Sequence, residues 1–229
     1  MAFPETRWSV VHRAAGTPSK ETQAALEELC TVWSEPVLAF IQRRVSSREQ
    51  AEDIAQDFFA HLISGELLNR ADEQQGRFRS FLLHALRCFL ADKHDFDHAK
   101  KRGGDRITIS IDTAELQPLQ GTTPESEFDR RWVRSLLRRC LNKLAGEYQG
   151  ARRRLFDELC DQLESPGKPQ TRQIAADLSM TDGAVRVALH RMKVRLGELI
   201  RQEVADTLPP SASIDDEINE LKRILEVSR

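Results

Sequence analysis

The sequence predicts an all-α protein: two small helical domains joined by a linker, the C-terminal one a helix-turn-helix. Three features predict this. Apolar residues return every three or four positions through most of the 229 residues, which is the spacing of one helix face. Strand-like alternation is nearly absent, and 11 Gly and 9 Pro are too few for a turn-rich β fold. The helical pattern stops between 103 and 122, a stretch opened by Gly103-Gly104 and closed by Gly121, Thr122 and Pro124. The pattern thus falls into two blocks, 1–102 and 123–208, with a helical extension over 209–229.

The elements follow in order. Thr6 to Ala15 is a short helix with Trp8, Val11 and Ala15 inward. From Lys20 to Val45 the apolar positions are Leu26, Leu29, Cys30, Trp33, Val37, Phe40 and Ile41. Pro36 is expected to kink or divide this helix. Ser47-x-x-Gln50 is a capping-box pattern. It opens a helix with Ala51, Ile54, Ala55, Phe58 and Leu62 on one stripe and Gly65 at its end. A polar loop spans Glu66 to Gly76. Phe78, Phe81, Leu82, Ala85, Leu86, Phe89 and Leu90 then form the clearest amphipathic helix, which runs into a mixed-charge segment ending at Arg102.

Within the linker, Ile107, Ile109 and Ile111 alternate as an extended piece does. The second block opens with Thr123 as a cap and Pro124 in the first turn. Its first helix buries Phe128, Trp132, Leu136, Leu137, Cys140, Leu141 and Leu144; its second, Leu155, Phe156, Leu159 and Leu163. Ser213-x-x-Asp216 starts a last helix after Pro209-Pro210, with Ile218, Leu221 and Leu225 on one side.

Residues 171–196 carry the most specific local pattern. Thr171 is placed to cap a helix with Ile174, Ala175 and Leu178 inward, and Ser179-Met180 make a turn. Thr181 is placed to cap a second helix that buries Val185, Leu189, Met192 and Leu196. Its other face carries Arg186, His190, Arg191, Lys193 and Arg195. Such a pair places its second helix in a DNA major groove, with the N-terminal part over base edges. An ordinary helical hairpin shares the pattern. Ser179 stands where such motifs usually carry Gly, so a left-handed residue there costs on the order of 1 kcal/mol.

Net charge is −2 and the sequence pI about 6.3, which argues against a generic polyanion binder. The average hides an asymmetry: acids gather between Glu49 and Glu73, bases between Arg130 and Arg154 and again after Arg186. A chain with one acidic and one basic pole binds nucleic acid with part of its surface. No apolar run is long enough to span a bilayer, and the N-terminus lacks the basic and apolar regions of a signal peptide. Cys30, Cys88, Cys140 and Cys160 are widely spaced and read as buried thiols of a reducing cytosol. The expected location is cytoplasmic, away from any membrane.

Three pieces, in this order, resemble bacterial RNA polymerase sigma factors of the extracytoplasmic-function group across residues 20–204. Ala51-Glu-Asp-Ile-Ala-Gln-Asp-Phe-Phe-Ala-His-Leu62 resembles that family's core-binding helix. Gly76-Arg-Phe-Arg-Ser-Phe-Leu-Leu, continuing to Ala91-Asp92 and a charged tail, resembles the helix that melts and reads the −10 element. The helix-turn-helix resembles the −35 reader. The Lys-Lys-Arg-Gly-Gly run and the helix from Asp215 resemble a planctomycete-type subgroup. Phe89, where the family often has Asn, and His94-Asp-Phe-Asp97, where it has a more basic run, depart from the pattern.

The resemblance implies roles. Residues 1–102 would bind core polymerase and the −10 region, and residues 123–208 would dock on duplex −35 DNA. Glu52, Asp53, Gln56 and Asp57 would face core RNA polymerase, although such runs are more commonly a solvated helix face. Arg77, Arg79, Lys93, Lys100, Lys101 and Arg102 would contact promoter DNA on the −10 side. Thr181, Asp182, Ala184, Arg186, Val187, His190, Arg191 and Lys193 would do so at −35, with Arg138, Arg139 and Arg152 to Arg154 on flanking phosphates. The partners are core RNA polymerase, promoter DNA and, where the chain is regulated, an anti-sigma factor or other regulator. His94 and His98 stand four apart, but no third ligand accompanies them, so no metal site is expected. No phosphate loop or nucleophile–base motif appears; the expectation is no enzyme, no catalytic residue and no cofactor. The alternative is a helix-turn-helix regulator with a helical sensing domain that does not join the polymerase.

Overall fold

A computed structural model describes residues 7–64, 67–102, 123–150, 152–164 and 170–226. The secondary structure of these residues is entirely helical. The helices are α1 (Arg7–Ala14), α2 (Lys20–Gln42), α3 (Arg48–Ile63), α4 (Phe78–Arg102), α5 (Pro124–Gly146), α6 (Arg152–Glu164), α7 (Thr171–Asp177), α8 (Asp182–Ala205) and α9 (Ile214–Glu226). Two 3-10 turns, Leu68–Arg70 and Glu73–Gln75, stand in the expected loop between α3 and α4. No helix among the described residues is long and apolar enough to cross a membrane. The expected linker and its isoleucine alternation, and Gly65, lie outside the described residues.

Local signals set most helix starts. Ser47 Oγ accepts the Gln50 N–H at 3.1 Å, and Thr123 Oγ1 the Ser126 N–H at 3.1 Å. Ser213 Oγ accepts the Asp216 N–H at 3.3 Å. Each satisfies one of the amides that a first turn leaves without a helical partner. Pro36 does not divide α2, which runs continuously through it. Leu29, Val32, Trp33, Val37 and Phe40 are all buried around it. Their packing offsets the roughly 3 kcal/mol that a proline costs inside a helix.

The chain divides into two compact units, Met1–Ser135 with Val204–Arg229, and Leu136–Glu203. The division falls inside α5 rather than at residue 123. In the first unit, Trp33 of α2 stacks on Phe128 and Trp132 of α5 at 6.0 and 6.1 Å and meets Phe78 of α4 edge-on at 5.6 Å. Those aromatic contacts tie the first half of α5 to the N-terminal helices. Carboxylates strengthen the tie: Glu125 of α5 meets Arg44 at 3.1 Å and Arg87 of α4 at 2.8 Å, and Glu35 of α2 meets Arg131 of α5 at 3.4 Å. The C-terminal segment, expected as an appendage, belongs to the same unit. The Trp8 N–H donates to the Asp206 carbonyl at 3.2 Å, and Glu217 and Leu221 of α9 are buried.

The second unit packs the end of α5 with α6, α7 and most of α8 around Leu136, Cys140, Phe156, Leu159, Ile174, Val185 and Met192. Buried Glu203 closes it, meeting Arg139 at 3.3 Å and Lys143 at 2.6 Å. Of the four cysteines, all free thiols, only Cys140 is fully buried. Cys88 is exposed beside His84 and Arg87, on the side of α4 away from buried Leu86, and Cys30 and Cys160 are half-buried.

Candidate nucleic-acid interface

The turn before α8 sets how that helix begins. The Ser179 N–H donates to the Ala176 carbonyl at 3.2 Å, and the Met180 N–H to the Ala175 carbonyl at 2.8 Å. This pair of bonds closes a helix through one left-handed residue. That residue is Ser179, at φ 53°. Thr181 caps α8, its Oγ1 accepting the Ala184 N–H at 3.2 Å.

Thr171 has a different task from the cap expected of it. Gln170 occupies the cap position without a side-chain bond, and Thr171 is the buried first residue of α7. Its hydroxyl donates to Asp182 Oδ1 in α8. The other oxygen of Asp182 meets Arg186 at 2.8 Å. The Thr171 hydrogen bond first, and then the nearby Arg186 and Arg172 charges, hold the Asp182 carboxyl below its ordinary range. Asp182 therefore links the two helices and tethers Arg186, which remains mostly exposed.

Val185, Leu189 and Met192 are buried, as their spacing predicts. Leu196 is only half-buried. Thr181, Ala184, Arg186, Val187, His190, Arg191 and Lys193 are exposed together, with Asp182 at their edge. Val187 is 51% exposed, and Val194, which sequence reasoning missed, 49%. They stand seven residues apart, two turns of one face, a spacing that would have revealed the second from the first. Apolar groups among cations suit a surface that meets thymine methyls beside phosphates. Arg195 is not part of this face. Glu147 grips it through two oxygens at 2.7–3.0 Å and Glu198 at 2.8 Å.

The flanking arginines divide by partner. Arg139 is held by Glu203; Arg153 pairs with Asp157 at 3.0 Å; Arg154 donates to the Asp177 carbonyl at 3.2 Å, at the end of α7. By exposure, Arg139 is half-buried, and Arg138, Arg152, Arg153 and Arg154 are all at the surface.

In the first unit, Glu52, Asp53, Gln56 and Asp57 are all exposed on α3, on the side away from Ile54, Ala55 and Phe58. Glu52 pairs with Arg48 at 2.7 Å. Asp57 pairs with Lys93 of α4, so residues expected to serve two different partners meet here.

Arg77 and Arg79 are placed differently from the expectation of free DNA contacts. Arg77 meets Glu217 of α9 at 2.8 Å. Arg79 is 6% exposed. It meets Glu217 at 3.3 Å and Asp129 at 3.4 Å, and its guanidinium lies over Trp132. Burial of Asp129 raises its carboxyl above the ordinary range, against the pull of Arg79. Both arginines are thus engaged inside the unit, because a helix some 140 residues away in the chain supplies their counter-charge. The side chains of Lys100, Lys101 and Arg102, and of His98, lie outside the described residues. No group of three metal-ligating side chains occurs among the described residues.

Compared with protein-family models, with curated proteins and with solved structures, the chain gives no match.

Proposed function

We propose that the protein is a sigma factor of the extracytoplasmic-function type, which directs core RNA polymerase to promoters and initiates transcription. On this reading the unit holding α1–α4 binds core polymerase through α3 and the −10 region through α4. The α7–turn–α8 pair is a helix-turn-helix that docks on duplex −35 DNA. The observation that carries the reading is the exposed face of α8. Arg186, Val187, His190, Arg191, Lys193 and Val194 present cations and apolar groups together, just past a capped helix start. A solvated helix face has little reason to expose two valines among its cations. The exposed acidic side of α3, and the order of the three sequence pieces, add support.

Run-off transcription with core RNA polymerase and a library of upstream sequences tests the reading. Stoichiometric binding to core enzyme and initiation from a subset of the library are expected. A chain that binds duplex DNA but not core polymerase is instead a regulator that acts without joining the enzyme. A chain that binds neither has its α8 face turned to another protein.

A further inference from the structure

α4 carries two metal-ligating side chains that the proposed function leaves unused. His84 and Cys88 are exposed, four residues apart on one face of the helix. Their Nε2 and Sγ atoms stand 3.6 Å apart. Zinc bonds of about 2.3 Å to sulfur and about 2.0–2.1 Å to nitrogen, meeting at a tetrahedral angle, place two such donors about 3.6 Å apart. The pair therefore already has the spacing of one edge of a zinc site, and thiolate and imidazole are ligands that zinc favours. In the metal-free chain the same gap suits the weak hydrogen bond between a thiol and an imidazole. A zinc ion takes the place of the thiol proton, which passes to solvent.

The surroundings suit a cation. Arg87, between the two in sequence, is held by Glu125 at 2.8 Å, and exposed Asp92 stands one turn beyond Cys88. Two ligands leave the ion half-coordinated, since a structural zinc takes four nitrogen or sulfur ligands. No group of three ligating side chains occurs among the described residues. A two-fold axis through the ion supplies the other two: the same histidine and cysteine of a second copy complete a Cys2His2 set. Ser80 and Ala91, exposed on the same stripe one turn to either side of the pair, are small enough for a second α4 to come close.

We propose that His84 and Cys88 form half of a zinc site, completed by the same two residues of a second copy, so that zinc joins two chains through α4. The site needs neither polymerase nor DNA and stands independently of the initiation reading.

The test uses the full chain, kept reduced and stripped of metal, with zinc as the only addition. Titration and sedimentation are expected to show one ion bound per two chains and a doubling of mass that a chelator reverses. Cobalt in place of zinc should give a thiolate-to-metal charge-transfer band and the visible bands of a tetrahedral ion. Cys88→Ser and His84→Ala should each abolish the doubling and weaken zinc binding by more than the roughly 10–100-fold that loss of an outer-shell partner costs. Both side chains are exposed, so the circular dichroism of each variant should match that of the native chain. The double variant Cys30→Ser/Cys160→Ser should bind zinc and double as the native chain does. Absence of zinc-dependent doubling overturns the proposal, as does one ion held by a single chain. A doubling that survives Cys88→Ser, or that the chelator leaves intact, overturns it equally.

Discussion

The guanidinium carbon of Arg79 sits 4.8 Å from the ring centroid of Trp132, over the indole face. Asp129 and Glu217 flank the same guanidinium. Removing Arg79 takes the counter-charge from Asp129 and leaves buried Glu217 with Arg77 alone, and breaking a buried pair in this way costs roughly 3–5 kcal/mol. Arg79→Ala should therefore lower the stability of the first unit by about that much in denaturant titration. Arg79→Lys should lose less, since it keeps the charge and gives up the planar stack. A loss below about 1 kcal/mol for the alanine variant would show that Arg79 is a surface cation after all.

The Glu125 carboxyl predicts a pH dependence. Burial pushes its pKa up, but hydrogen bonds from Arg87, the backbone and Arg44 outweigh that and bring it down to about 2. A carboxylate with a depressed folded pKa stabilises fully above its unfolded value, near 4.5, and loses that contribution as pH falls toward 2. Glu125→Gln should cost about 1 kcal/mol at neutral pH, as partly exposed pairs do. Its stability curve should be flatter between those two values and meet the native curve below them. Parallel curves through that window would show that Glu125 is not the responsible group.

These ion pairs mark the limit of what the sequence displays. The caps at Ser47, Thr123, Thr181 and Ser213 are legible because each acceptor and its donor lie three residues apart. The buried stripe of α3 and the buried face of α8 are legible for the same local reason. Glu217 is not legible: a glutamate in an acidic helix start reads as solvated, and its partners stand about 140 positions earlier. The place of residues 124–135 is hidden likewise, since the apolar spacing of Phe128 and Trp132 says that they are buried but not against which helix. Thr171 shows how local rules compete. A threonine at a helix start is a fair cap, but Asp182 across the turn is a charged acceptor and takes its hydroxyl.

Ser179 stores strain that a glycine would relieve. Its φ of 53° lies in the left-handed region, where a Cβ costs on the order of 1 kcal/mol. Ser179→Gly should stabilise the second unit by up to about that amount, less the added flexibility of the unfolded chain. Ser179→Val should destabilise it by more. Thermal unfolding of the two variants checks the order. Gly197 gives an independent comparison: a Cβ there meets nothing within 4 Å, so Gly197→Ala should add close to 1 kcal/mol.

The α3 face yields a prediction with an internal control. Asp53→Lys should weaken binding to core polymerase while leaving helicity intact, since Asp53 is exposed and off the buried stripe. Asp57→Lys is ambiguous alone, because Asp57 pairs with Lys93. The charge swap Asp57→Lys/Lys93→Glu restores the pair between α3 and α4. Recovery of polymerase affinity in the swap would mean that Asp57 acts by fixing the two helices; continued loss would mean that it faces the polymerase. Unchanged affinity in Asp53→Lys would return the whole face to solvent.

The last prediction concerns the base reading proposed for α8. Arg186 lies in the second turn of the helix, one residue past buried Val185, with exposed Val187 beside it and exposed His190 one turn on. Asp182 holds the Arg186 guanidinium at 2.8 Å, and Thr171 holds Asp182. An arginine held in one direction by a carboxylate offers its remaining N–H groups at a fixed angle, as a bidentate contact to guanine needs. Neither Arg191 nor Lys193 has such a tether; Arg191 diverges from Arg186 around the helix, and Lys193 lies two turns further along the same side, away from the helix start. Arg186→Ala should relax specificity at one or two base pairs, a change of about 1–3 kcal/mol confined to those positions. Asp182→Asn should do part of the same, since it weakens the tether while keeping the hydrogen-bonding shape. Lys193→Ala should weaken all duplex sequences alike and reduce the salt slope by about one unit. Binding of single-base variants at several salt concentrations separates the cases. A uniform loss across every variant for Arg186→Ala would place that guanidinium on a phosphate.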